Sequence, residues 1–136
     1  MLDITFNNSA KNKIYGKGFF EKIIKQAIET VHVRSKTVEL SVNLVDRGKI
    51  TGLNRKYRNK NEPTDVLSFP LNYKVDKNSD ILSLGDIFIC FPIASKYAKS
   101  EGVSLDSKLI FLTIHGFLHL LEIGRASCRE RVYVLV

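Results

Sequence analysis

A small α/β (α+β) fold, with a mixed sheet of about four strands packed against helices, is predicted by three features of this sequence. Apolar residues at positions 19, 20, 23, 24, 27, 28 and 31 follow the 3.6-residue helical repeat. Val38, Leu40, Val42 and Leu44 alternate with polar residues, the two-residue period of a half-buried strand. Segments of these two kinds succeed one another in the order β-α-β-α-β-β-α-α, a pattern that packs as helices layered on a sheet. With 136 residues, a single domain can bury about 68% of its unfolded surface without disulfides or metal for stability.

Each element has its own signal. Residues 2–6 alternate as a first or edge strand, residues 19–33 form the amphipathic helix, and residues 37–45 form the second strand. Asp46 is placed to cap a helix over residues 49–58, because its carboxylate can accept from the free amides of the first turn. The polar stretch 59–63 reads as a turn, 65–70 as a short strand and 72–80 as a polar loop. Residues 81–91 read as a buried strand interrupted at Gly85, where Gly85-Asp86 most simply marks a bulge with a side-chain-capped turn. Pro92 opens a short helix to about Ser100, and Ser104 caps a long one from Leu105 to about Leu121. Apolar residues at 109, 110, 111, 112, 114, 117, 118, 120 and 121 make that last helix largely buried. No internal repeat or low-complexity segment interrupts the pattern.

Composition narrows the class. Hydrophobic residues make up 44% and charged residues 26%, an ordinary balance for a soluble domain. No apolar run approaches the ~20 residues of a membrane span, and the N-terminus lacks the basic stretch of a secretory signal. Cys90 and Cys128 lie in unrelated contexts, so a reducing cytoplasm is expected. The net charge of +7 suits a polyanion such as RNA, although the lysines are scattered rather than clustered. The last twelve residues differ from the rest: they hold 3 Arg and neither Lys nor Asn, whereas residues 1–124 hold 14 Lys and 4 Arg. They read either as a basic tail for RNA or as a segment foreign to the domain, from a frameshift, a cloning scar or an assembly join.

The chemistry concentrates in the long last helix. His115 and His119 are four residues apart, so their imidazoles lie on one face about a turn apart and can share one metal ion. The third histidine, His32, is far off in sequence. A plainer alternative is that each imidazole bonds a backbone carbonyl or water, since an unsatisfied buried polar group costs about 1–3 kcal/mol. Gly116 between them costs about 1 kcal/mol within a helix and usually lets something approach closely. It also disfavours a zinc peptidase, in which a glutamate follows the first histidine as general base. Earlier in the chain, Arg58 ends a helix and enters a loop. There a guanidinium could neutralise charge developing on a phosphodiester, or simply complement the helix C-terminus. Asp65 and Ser68 could equally be turn and strand residues.

Taken together, Asn54, Tyr57-Arg58, Pro63-Thr-Asp-Val-Leu-Ser-Phe-Pro70, Leu84-Gly-Asp-Ile87 and His115-Gly-Phe-Leu-His-Leu120 resemble the YbeY family in order and spacing. The resemblance covers about residues 1–121. It implies a single-strand-specific, metal-dependent endoribonuclease, usually zinc-binding, that acts in small-subunit rRNA maturation and ribosome quality control. Implied partners are single-stranded RNA and rRNA, the small ribosomal subunit and its assembly factors, in the cytoplasm and with no membrane. By position, the resemblance implies that His115 and His119 are two of three ligands to one Zn2+ ion, and Arg58 falls on the family's functional arginine. The metal would activate a water or orient the scissile phosphate.

The family pattern continues as His-Leu-x-Gly-Tyr-Asp-His, with the glycine ending the helix so that a third histidine turns back. Here the last four of those positions are Glu122-Ile-Gly-Arg125. Arg125 stands at the third-ligand position, and a guanidinium stays protonated and cannot coordinate. Glu122 is on roughly the right face, yet seven residues along a helix from His115 is about 10 Å. Cys128 offers a thiolate whose position nothing fixes. The expected organisation is therefore an endoribonuclease-like domain over residues 1–121 and an atypical tail over 122–136. Zinc affinity and turnover are expected to fall below those of an intact relative. Two other readings stay open: a non-catalytic RNA- or ribosome-binding protein, and a metal hydrolase of another substrate class.

Overall fold

In a computed structural model, the chain is described over residues 1–33, 35–71, 81–126 and 133–134, with side chains to Leu121. The polar loop expected at 72–80 and Cys128 lie outside the described residues. Strand β1 (Leu2–Asn8) pairs in parallel with β2 (Thr37–Val45), Leu2 facing Val38 and Phe6 facing Val42. Helix α1 (Lys17–Val31) makes the crossover between them and stops where His32 turns left-handed at φ 57°. Asp46 does cap α2 (Arg47–Arg58), its Oδ1 accepting from the Lys49 amide at 2.9 Å. Asn59, at φ 56°, ends that helix before the turn into β3 (Val66–Pro70).

β4 (Ile81–Cys90) lies between β2 and β3, parallel to the first and antiparallel to the second. Helices α3 (Phe91–Glu101) and α4 (Leu105–Ala126) follow, and a two-residue β5 (Tyr133–Val134) adds to β3. The sheet order is β1-β2-β4-β3-β5, so the four expected strands gain a short fifth at the edge. Ser104 caps α4 as expected, its Oγ accepting from the Ser107 amide at 3.1 Å. The helix runs past Leu121 to Ala126. No helix among the described residues is long and apolar enough to cross a membrane.

The interruption at Gly85 is a β-bulge. Glu39 faces Ser83 but Leu40 faces Gly85, leaving Leu84 as the extra residue. One face of the sheet, with Leu40, Val42, Leu84, Ile87 and Ile89, packs under α1 and α4 in the main core. The opposite face forms a smaller cluster, in which Val45, Leu67 and Cys90 meet Ile50 of α2 and Ile93 of α3. The bulge explains why Leu82 and Leu84 share a face with Ile87 and Ile89: the extra residue shifts the two-residue alternation by one.

Gly85 sits at φ +130°, and a Cβ there would lie 2.1 Å from the Phe69 carbonyl oxygen. Gly116 is different: its conformation is helical, and a Cβ would meet Ile87 side-chain atoms at 3.0 and 3.3 Å. Gly85→Ala should therefore cost at least the ~1–3 kcal/mol of a strained backbone, plus loss of β3–β4 pairing. Gly116→Ala should cost up to about 2 kcal/mol, because overpacking of about 1–3 kcal/mol against Ile87 is only partly offset by about 1 kcal/mol of helix propensity. Urea midpoints read both, and a parent-like Gly85→Ala midpoint would overturn the bulge's role.

Asp65, just before β3, is buried, and its backbone carbonyl accepts from the Cys90 amide at 2.8 Å. Burial pushes its carboxyl up, partly countered by the Val66 amide and the Lys108 cation. A raised folded pKa means the native state holds this proton more tightly than the unfolded chain, whose value is about 3.9. The contribution to stability is thus full below that pH and is lost as pH rises through the folded value. Asp65→Asn should flatten that decline, and urea titrations from acid to neutral pH will show it. A parent-minus-variant difference that does not change with pH would refute the assignment.

Candidate functional site

Helix α4 carries both histidines, and three contacts set where they stand. Gly116 lets the helix backbone approach Ile87 of β4. Ser68 of β3, wholly buried, donates its hydroxyl to the Gly116 carbonyl at 3.5 Å. Thr113, also buried, satisfies its hydroxyl within the helix on the Leu109 carbonyl at 2.7 Å. With Leu112, Gly116, Phe117 and Leu120 turned inward, the 100° step between residues places His115 and His119 on one flank, both half-buried. The other flank, with Ile110 and Ile114, faces a groove against α1.

The pair thus shares a face, as its spacing predicts. His115 Nδ1 is buried and has no hydrogen-bond partner among the described residues, the condition in which an imidazole is suited to a ligand. Its ring meets Phe111 edge-on, with centroids 5.3 Å apart and planes at 71°. Among the described residues, however, no three His, Cys, Asp or Glu side chains come together. Two imidazoles are fewer than the three or four protein ligands of usual zinc sites. The described residues therefore do not complete the metal centre that the resemblance implies.

The course of α4 bears on the missing ligand. The backbone stays helical through Glu122, Gly124 and Arg125. Position 125 is six residues beyond His119, about 9 Å along the axis and roughly a third of a turn off its face. Position 122 lies about 10 Å beyond His115. In this geometry position 125 does not stand beside the pair, whereas position 122 lies about one turn beyond His119 on the same flank but about two turns from His115.

Arg58 is the last residue of α2, half-buried, and α2 packs on the sheet face opposite α4. It makes no hydrogen bond or ion pair among the described residues, where the sole ion pair is Lys108–Glu101 at 2.8 Å. The fold thus brings the two histidines together on α4 and leaves Arg58 at the end of the helix across the sheet, with no ion pair among the described residues and with the exposed Arg55, Lys56 and Lys60 close by in the chain. Beside it, Tyr57 packs edge-on against Phe69, with centroids 5.1 Å apart, and Lys56 lies 5.1 Å from the tyrosine ring centre. Asp86 accepts from the Ser41 hydroxyl, and Ser41 accepts from Asn43 at 2.9 Å, which in turn accepts from Asn7 at 2.8 Å. Those bonds tie β1, β2 and β4 together on the α2 side, so Asp86 has a structural role there.

Sequence reasoning passed over Phe111 and Lys108. Phe111 is 52% exposed, although it was expected among the apolar residues of a buried helix. Its signal was the same four-residue spacing to His115 that joins the two histidines.

Comparison with known proteins follows the same lines. A family model described as Endoribonuclease YbeY matches residues 4–123. An endoribonuclease YbeY of Persephonella marina is 41% identical, across 91% of this chain and 82% of that protein. One from a Sulfurihydrogenibium strain is 34% identical, across 95% and 89%. The solution structure of TM1509 from Thermotoga maritima superposes with a TM-score of 0.56 at 29% identity, covering 88% of this chain and 71% of that one. A match over that span, joined to the α4 histidine pair, shows that this chain belongs to the endoribonuclease YbeY family.

Proposed function

We propose that this protein acts on single-stranded RNA as an endoribonuclease, with small-subunit rRNA as the substrate class, the ribosomal subunit and its assembly factors as partners, and the cytoplasm as its place. The observation that carries this reading is the seating of His115 and His119 on one flank of α4, within the span that matches the endoribonuclease family. Arg58, with no ion pair among the described residues, would bind a phosphate and balance charge on its non-bridging oxygens. Residues 1–121 would form the catalytic domain, and 122–136 an atypical tail.

In this reading His115 and His119 hold Zn2+ as two ligands, where three would close the site. That favours a second reading, in which the chain binds RNA or the ribosome with little cleavage. The observation behind it is the helical backbone at position 125. Peptide hydrolysis is disfavoured by Gly116, which supplies no general base.

Incubation with a single-stranded RNA oligonucleotide and with a peptide, each with and without chelator, separates these readings. Slow, chelator-sensitive RNA cleavage is expected, reduced about 10²–10³-fold by Arg58→Ala, the usual loss on removing one charge-stabilising donor. RNA binding without cleavage would replace the first reading by the second, and peptide cleavage would overturn both.

Calorimetric zinc titration tests the ligand deficit independently of activity. Arg125→His alone should change little, because the helix keeps position 125 away from the pair. Glu122→Gly with Arg125→His should bind zinc at least about tenfold more tightly, by freeing the chain to turn. Equal affinity for the parent and the double variant would sink the claim.

A further inference from the structure

One turn before His115, the same flank of α4 carries an aromatic surface with no place in the core. Phe111 is 52% exposed, and Tyr97 of α3 is 39% exposed. The Lys108 ammonium lies between them, 5.6 Å from each ring centre. Glu101 holds that ammonium with both carboxylate oxygens, at 2.8 and 3.2 Å, so the Lys108 side chain is only 10% exposed. The opposite restraint on Phe111 is the His115 ring at 5.3 Å. Phe111 is therefore a ring fixed on two sides and open to solvent, at the mouth of a hollow of about 380 Å³ lined by Glu101, Val103, Ser107, Lys108 and Phe111 itself.

We propose that Phe111 is a stacking platform for one nucleobase of single-stranded RNA, the base that lies beside the histidine pair. This rests on the RNA-acting reading above. The hollow of about 380 Å³ falls within the roughly 300–1,000 Å³ of small-ligand pockets, enough for a nucleobase. Charge agrees only at the level of the whole chain, which carries +7, since Glu101 neutralises Lys108. Stacking needs no base-edge readout, because every base presents a π-face. Restraint by Lys108 and His115 means that little side-chain freedom is lost when a base arrives. The contact between Phe111 and His115 makes the platform continuous with the histidine pair.

The test uses the full chain and a single-stranded RNA oligonucleotide carrying one 2-aminopurine, whose fluorescence falls when it stacks. The parent should bind and quench the probe. Phe111→Ala should weaken binding about 5- to 150-fold, the usual range for losing one base–aromatic stack, and abolish the quenching. Phe111→Tyr should restore both. Parent-like binding and quenching by Phe111→Ala would overturn the platform alone. A parent chain that neither binds nor cleaves RNA would overturn the RNA-acting reading and the platform with it.

Discussion

The close approach of α4 to β4, made where Gly116 meets Ile87, sets the position of everything around the histidine pair. A glycine in mid-helix costs about 1 kcal/mol relative to alanine, yet here its missing Cβ is the space that Ile87 fills. Ile87 is wholly buried and lies at the middle of the main core. Ser68 reaches the Gly116 carbonyl from the neighbouring strand, so β3 and β4 both hold the same helical turn. Once that turn is fixed, helical geometry leaves no freedom in the flanks. His115 and His119 fall on one side, and Ile110 and Ile114 fall on the α1 side.

A second glycine organises the sheet itself. At Gly85 the backbone adopts a conformation that other residues rarely take and passes against the Phe69 carbonyl. The bulge shifts the parity of β4 so that Leu82 and Leu84 before it face α1 and α4 together with Ile87 and Ile89 after it. The same shift sends Asp86 to the opposite face, where Ser41, Asn43 and Asn7 form a hydrogen-bonded chain across three strands. That face is the one α2 covers, and Arg58 ends α2. The family motif is therefore divided by the sheet, with Ser68 and the histidines associated with one layer and Arg58 with the other.

Most of the element order was legible because it rests on short-range signals. The alternation of residues 37–45 marks β2 with its observed bounds, and Asp46, Ser104 and Pro92 act at the helix starts their chemistry suggests. Gly85 announced a bulge, although its partner, the Phe69 carbonyl, is a long-range contact that periodicity does not encode. The histidine pair was legible for the same reason as β2: its spacing is a local property. The separation of Arg58 from that pair was not, since it depends on which sheet face each helix covers. Phe111 was obscured by its own hydrophobicity. A helix with apolar residues almost all round reads as buried, and only the tertiary packing, with α1 on one side and α3 on the other, leaves Ile110, Phe111 and Leu118 at the surface.

The end of α4 shows how one backbone choice can outweigh a side-chain choice. The family motif places glycine at the position that Glu122 occupies, and glycine is the residue that lets a helix stop in the left-handed conformation. Glutamate is a good helix former, and the helix here continues to Ala126. In the proposed zinc-holding reading, Arg125 at the third-ligand position supplies no donor, and the continued helix also removes the place from which a ligand there would act. Six helical residues leave position 125 about 9 Å along the axis from His119 and about a third of a turn off its face, too far round and too far along for its side chain to join the pair. The two changes are therefore coupled. A histidine at 125 is useless to the pair while 122 favours helix, and a glycine at 122 frees the chain to turn but leaves it presenting an arginine.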